Sequence, residues 1–340
     1  MFGRSRDPSP TAVLELGRLR LPSGVLVVTD MGLLDGWAAE GPPRPVADMS
    51  EDDERAAAGA DDWELAGPDE ERAAVIAHRE IAGCSGGRFY DVPPAHAADL
   101  RAEIDEVLVG LDVEVVVLPG RISPHDRAVR AGDTLEREYY VHGVASVAVS
   151  GLPADRDLRV TACPTASEPD FFAEVTVHVA DGDAVRRFRF GAVAVDHARV
   201  LFADVDALDS WQHDEPLDGN ADVAFWGRDA DQAAADLGAG RIADGSHGWS
   251  DLQLDDALVH HERVGVWMDD HPAAGLALDF RPHSHHYAVM RQIRERNVGA
   301  ILLAGARMLG VGALGDGFFD LVADYDRDEA LVALTLLLED

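Results

Sequence analysis

The sequence predicts an α+β fold: mainly antiparallel β-sheet or sandwich, with peripheral helices and a small N-terminal α/β portion. Three observations carry this. From about residue 134, five extended stretches follow one another with short turns between them, the rhythm of sequential antiparallel strands. Helical periodicity is confined to a few separate stretches. The chain has 340 residues of which 47% are apolar, enough for a core without disulfide or metal. The change of texture suggests two portions, an N-terminal hairpin with a small α/β part over 1–133 and a β-rich part over 134–340, the alternative being one continuous domain.

Residues 1–10 read as a frayed tail. Val13 to Leu21 alternates with period two, Pro22-Ser-Gly turns the chain, and Val25 to Thr29 returns it, predicting a hairpin. Gly41-Pro-Pro-Arg-Pro45 is a breaker. Between Asp48 and Arg72 stand eleven acids and two arginines, a local charge of 2 − 11 = −9 that reads as a solvated loop or helix face. Pro68-Asp-Glu-Glu opens a helix to about Ala82, because acids suit the positive end of a helix. Phe89 to Val92 is a short strand, Pro93 to Leu108 a helix, and Val113 to Leu118 a strand.

The extended stretches are 135–150, 156–163, 171–180, 184–195 and 198–204, punctuated by Ser150-Gly-Leu-Pro and Asp181-Gly-Asp183. Asp229 to Leu237 is a short helix stopped by Gly238, and Leu252 to about His261 is another. Ala274 to Phe280 reads as a strand and Tyr287 to Arg296 as a helix. Residues 298–309 and 330–338 are closing strands flanking Gly315-Asp-Gly.

All 29 basic side chains are arginines, against 63 acids, so the formal charge is 29 − 63 = −34. Such a surface repels phosphate backbones and anionic membranes, which argues against nucleic acid and membrane as partners. It fits a salt-adapted or simply soluble surface, or a protein partner with a basic surface. No apolar run reaches the ~18 residues of a membrane helix; Ile301 to Leu314 is interrupted by Arg307. The first residues lack a secretory pattern, so a cytoplasmic location is expected. Cys84 and Cys163 are far apart and read as buried free thiols.

The densest chemical cluster is Asp279-Phe-Arg-Pro-His283-Ser-His285-His286. Three imidazoles and a carboxylate after a strand end suit a divalent metal, and His283 and His285 share a face of an extended chain. The opposing reading is a polar loop whose histidines bond locally. Arg228, Arg281 and Asp316 are candidates for small-ligand binding, Arg through its bidentate fork and Asp316 in a glycine-rich turn. Arg228 alternatively pairs with Asp196, Asp222 or Asp229. Without lysine there is no Walker motif, and there is no Gly-x-Ser-x-Gly elbow. Asp196 and His197 are adjacent, which in a strand turns them to opposite faces.

Gly17-Arg-Leu-Arg-Leu-Pro-Ser-Gly24 with Asp30, Val193-Ala-Val-Asp196, and Gly315-Asp-Gly-Phe-Phe with Asp326 resemble an uncharacterised bacterial family, domain of unknown function four thousand two hundred and forty-one. The resemblance touches about a third of the chain. It departs where Asp196 is followed by His197-Ala198 instead of Ala-Gly, and at Pro93-Pro94. It implies fold and no reaction; the composition is actinobacterial-like.

The sequence thus points to a non-enzymatic binding or regulatory module. Its alternative is a metal-binding protein or metal-dependent hydrolase using Asp279, His283, His285 and His286.

Overall fold

The computed structural model describes residues 13–34, 37, 61–118, 122–134, 137–141 and 143–339. Among them strand (42%) outweighs helix (25%), and every strand pairing is antiparallel, so the chain is an α+β protein dominated by sheet.

In chain order the elements are β1 (Leu14–Leu19), β2 (Leu26–Asp30), β3 (Asp61–Ala66), α1 (Glu70–Glu80), β4 (Cys84–Ser85) and β5 (Arg88–Val92). Next come α2 (Ala97–Val107), β6 (Glu114–Leu118), α3 (Pro124–Gly132), β7 (Glu138–Val141), β8 (Val144–Val149), β9 (Leu158–Pro164) and β10 (Phe172–His178). They are followed by β11 (Arg186–Val195), β12 (Arg199–Asp204), α4 (Val205–Leu208), β13 (Asn220–Gly227), α5 (Ala230–Leu237), β14 (Gly240–Arg241) and β15 (His247–Gln253). The chain ends with α6 (Leu254–Asp270), β16 (Leu276–Pro282), α7 (His285–Arg296), β17 (Val298–Leu303), β18 (Ala306–Gly312), β19 (Gly317–Tyr325) and β20 (Leu331–Leu337).

Two compact units result: residues 1–211 with 292–340, and residues 212–291. Residues 133 and 134, where the texture of the sequence changes, both lie inside the first unit, because β2 pairs with β8 across that point.

The first unit holds two six-stranded sheets, ordered β1-β9-β10-β20-β19-β11 and β17-β18-β12-β2-β8-β7. Both contribute to one apolar core: Leu19, Val160 and Leu334 come from the first sheet, Val28, Val147 and Phe202 from the second. The expected hairpin at Pro22-Ser-Gly is corrected here. β1 pairs with β9, whereas β2 pairs with β12 and β8. Leu19 of β1 and Leu26 and Val28 of β2 enter the same core from different sheets, with Leu21 between them, so the turn carries the chain between sheets instead of folding it back. Asp204 fastens that turn, accepting from Ser23 N–H at 2.9 Å and from its hydroxyl at 2.6 Å.

A smaller sheet, β4-β5-β3-β6, is packed by α1 and α2 around Trp63, Phe89, Ala77 and Ile104. The acidic stretch expected as loop or helix face contains β3; residues 48–60 lie outside the described residues. Asp62 is almost fully buried there because Arg127 of α3 meets it with two hydrogen bonds, 2.9 and 3.2 Å, and also bonds Asp91 and the Tyr140 carbonyl. Burial raises the Asp62 pKa, with Arg127 opposing. Helix α3, not foreseen, starts with Ser123 capping Asp126 N–H and Pro124 in the first turn.

The second unit holds the sheet β14-β15-β13-β16. Ala221, Val223 and Phe225 alternate along β13 and bury against Ala230, Ala233 and Ala234 of α5 and Ala257, Val264 and Trp267 of α6. Gln212 and the start of α7 are stitched together. The Gln212 carbonyl accepts from His285 N–H at 3.0 Å, and Gln212 N–H donates to His285 Nδ1 at 2.9 Å. Among the described residues no helix is long and apolar enough to cross a membrane.

Candidate metal centre

The alternation that buries Ala221 and Val223 turns Asp222 to the opposite face of β13, half-buried. Its neighbour β15 carries a bulge at this level: Ala221 stands opposite Leu252 and Val223 opposite Trp249, so Ser250 and Asp251 together face Asp222. Asp251 takes up the extra length with φ +55°, a left-handed conformation that Asp tolerates better than most side chains. Its N–H donates to Asp222 Oδ1 at 2.8 Å.

On the other side of β13 runs β16, and His283 follows directly after its last residue, Pro282. Its N–H donates to the Asn220 carbonyl at 3.0 Å, and its own carbonyl accepts from Leu217 N–H at 3.0 Å, which fixes the backbone on both sides. The ring lies between two carboxylates: Nδ1 is 2.9 Å from Asp218 Oδ2 and Nε2 is 3.1 Å from Asp222 Oδ1. Asp218 is itself held by Asn220 N–H at 2.9 Å.

One ligand atom each from Asp222, Asp251 and His283 lie within 4.8 Å of one another. Ligands on a common ion at bonds of about 2.1 Å stand no more than about 4.2 Å apart, so atoms within 4.8 Å of one another need at most a small shift to close on one ion. Burial pulls the His283 pKa down, but the hydrogen bonds to Asp218 and Asp222 outweigh it and the net direction is up. Asp218 is held below the usual carboxylate range chiefly by its bond to His283. When protonated, the ring is a cation among three carboxylates. When the ring is neutral with its proton on Nδ1 toward Asp218, the Nε2 lone pair faces Asp222 and is free to ligate.

Of the four residues expected around a metal, His283 alone is in this cluster. Asp279 accepts from Arg281 Nε at 2.8 Å. His285 Nδ1 accepts from Gln212 N–H, and burial lowers its pKa, in keeping with a neutral ring. The His286 ring lies against His213, with centroids 4.0 Å apart. His285 and His286 open a helix, so the extended spacing that would aim His283 and His285 together ends at Ser284. Asp222 and Asp251, far upstream, supply the carboxylates instead.

The three ligand-binding candidates do not share a partner. Arg228 is exposed and bonds Asp229 at 2.9 Å and the Ala273 carbonyl. The Arg281 side chain is 5% exposed, fixed by Asp279 and by Asp244 at 2.7 Å, with Trp226 and Tyr287 rings against its guanidinium. Asp316 belongs to the first unit, where it accepts from Ala198 N–H at 3.1 Å. Of the two thiols, Cys84 is buried and Cys163 half-buried.

The chain matches no family model, no curated protein and no solved structure.

Proposed function

We propose that this chain is a divalent-cation-binding protein whose ligands are Asp222, Asp251 and His283, with Asp218 orienting the imidazole. The observation that carries this reading is the meeting of one imidazole and two carboxylates at a strand bulge, with a third carboxylate on the far ring nitrogen. One nitrogen and two oxygens suit borderline ions such as Zn²⁺ or Mn²⁺ better than Ca²⁺ or Mg²⁺, which take oxygen ligands. The role is binding: the ligands come from two neighbouring strands and the segment after a third, which an ion would fasten together. Titration calorimetry of tag-free protein with Zn²⁺ and Mn²⁺ tests it. One ion per chain is expected, lost in Asp222→Ala and His283→Ala and kept in His285→Ala. Wild-type protein that takes up neither ion, or an unaltered isotherm in His283→Ala, removes the reading.

A second reading, docking of a protein partner with a basic surface, is favoured by the charge of −34 and by a cavity of about 380 Å³ in the first unit. Glu64, Glu70, Glu71 and Asp133 line it beside Leu65, Ala74 and Val75; Arg88, also in the lining, pairs with Glu64, and the other acids suit an arginine with an apolar stem and a charged head. A labelled arginine-rich peptide is expected to bind more weakly as salt rises, and about tenfold more weakly to Glu70→Gln with Glu71→Gln. Salt-independent binding, or equal affinity for the double variant, contradicts this reading.

A further inference from the structure

We propose that Gln292 withholds the outer edge of β17 from antiparallel pairing with a second copy of this chain. Among the described residues β17 is the outermost strand of its six-stranded sheet, and its sequence, Val-Gly-Ala-Ile-Leu-Leu, contains no charge. A free, uncharged edge of this kind is a template for another strand.

The direction of its backbone groups follows from the register. On β18, Arg307 exchanges hydrogen bonds with Arg20, on the side away from β17. Alternate residues of a strand face opposite neighbours, so Ala306, Met308 and Gly310 face β17 and meet Leu303, Ile301 and Gly299. The N–H and C=O groups of Val298, Ala300 and Leu302 consequently face outward. At Ala300 both are already engaged. Its N–H donates to Gln292 Oε1 at 3.3 Å, and Gln292 Nε2 donates to its carbonyl at 3.1 Å.

A primary amide offers the same donor and acceptor as a peptide group. The Gln292 side chain therefore stands where the central residue of a neighbouring strand would stand. It is placed there by α7, which runs into β17 through Asn297 at φ +57°, with Asn297 N–H donating to the Ile293 carbonyl at 2.7 Å. Arg296 Nη2 also reaches Gln292 Oε1, at 3.4 Å.

The occupant that fits the withheld edge is the same edge of another copy. Antiparallel pairing about a two-fold axis at Ala300 sets Ala300 opposite Ala300 and Val298 opposite Leu302, a self-complementary arrangement. Leu302 is 70% exposed and gains apolar contact there. In a chain of charge −34, an uncharged strand also brings two copies together without like charges directly opposed.

Sedimentation equilibrium over a range of concentrations tests the proposal. Wild type is expected to remain monomeric where Gln292→Ala dimerises, with association at least tenfold tighter. Adding Leu302→Lys to that variant is expected to return it to monomer. If Gln292→Ala does not fold, Gln292→Met, of similar length without the amide, takes its place. A folded Gln292 variant that stays as monomeric as wild type overturns the proposal. So does a dimer indifferent to Leu302→Lys, or a wild-type dimer that Leu302→Lys dissolves.

Discussion

Asp30 has no exposed surface, yet its carboxylate accepts from Gly32 N–H, Asp196 N–H, His197 N–H and His197 Nδ1. A charge taken from water needs that many donors. The bond to Asp30 is the main cause raising the His197 pKa, and burial opposes it. A folded pKa above the unfolded value of about 6.5 means that protonated His197 stabilises the fold fully below that pH. The contribution disappears as pH rises through the folded pKa. His197 is 40% exposed, so solvent screening keeps the effect at or below about 1 kcal/mol. Urea unfolding of wild type and His197→Ala is expected to show its largest difference near pH 5.5 and a smaller one near pH 8.5. A gap that widens toward alkaline pH contradicts the assignment. The sequence presents His197 beside Asp196, in the bend that follows β11. The true partner, Asp30, lies 167 residues away and is brought close only by the pairing of β2 with β12.

At the scale of elements, the bulge of β15 joins backbone strain to the candidate site. Because Asp251 sits at positive φ, Asp251→Gly relaxes the backbone while removing a ligand. It is expected to melt at or above the wild-type temperature, yet to lose at least tenfold in Zn²⁺ or Mn²⁺ affinity. An unchanged affinity excludes Asp251 as a ligand. Gly248, in the same strand, has no such freedom: a Cβ there would collide with the Val223 carbonyl. These positions explain what the sequence could and could not reveal. Asp222 occupies a polar position in an alternating strand, and Asp251 follows a tryptophan and a serine, both visible as text. Their meeting depends on which strands pair and where the register slips, and local periodicity carries neither. β3 was obscured for a different reason. Asp62 and Glu64 make it look solvated, whereas Arg127 takes Asp62 into the interior, and Glu64 reaches Arg88 and Arg130.

For the whole molecule, the dominance of antiparallel sheet was legible because turn chemistry marks the ends of successive strands directly. The assignment of strands to sheets was not. β20 lies between β10 and β19, and β12 between β18 and β2, pairings that span long separations in sequence. The cluster at 279–286 drew notice for its density, but density along the chain is not proximity in space. His283 keeps its place because it closes a strand, whereas His285 and His286 are claimed by helix α7. His285 has another task in that position. With Gln212, the first residue of the second unit, it forms a clasp to the first turn of α7. Because the two segments are 73 residues apart in sequence, the clasp closes a loop around β13 to β16, and a chain cut inside that loop would leave both of its ends still fastened.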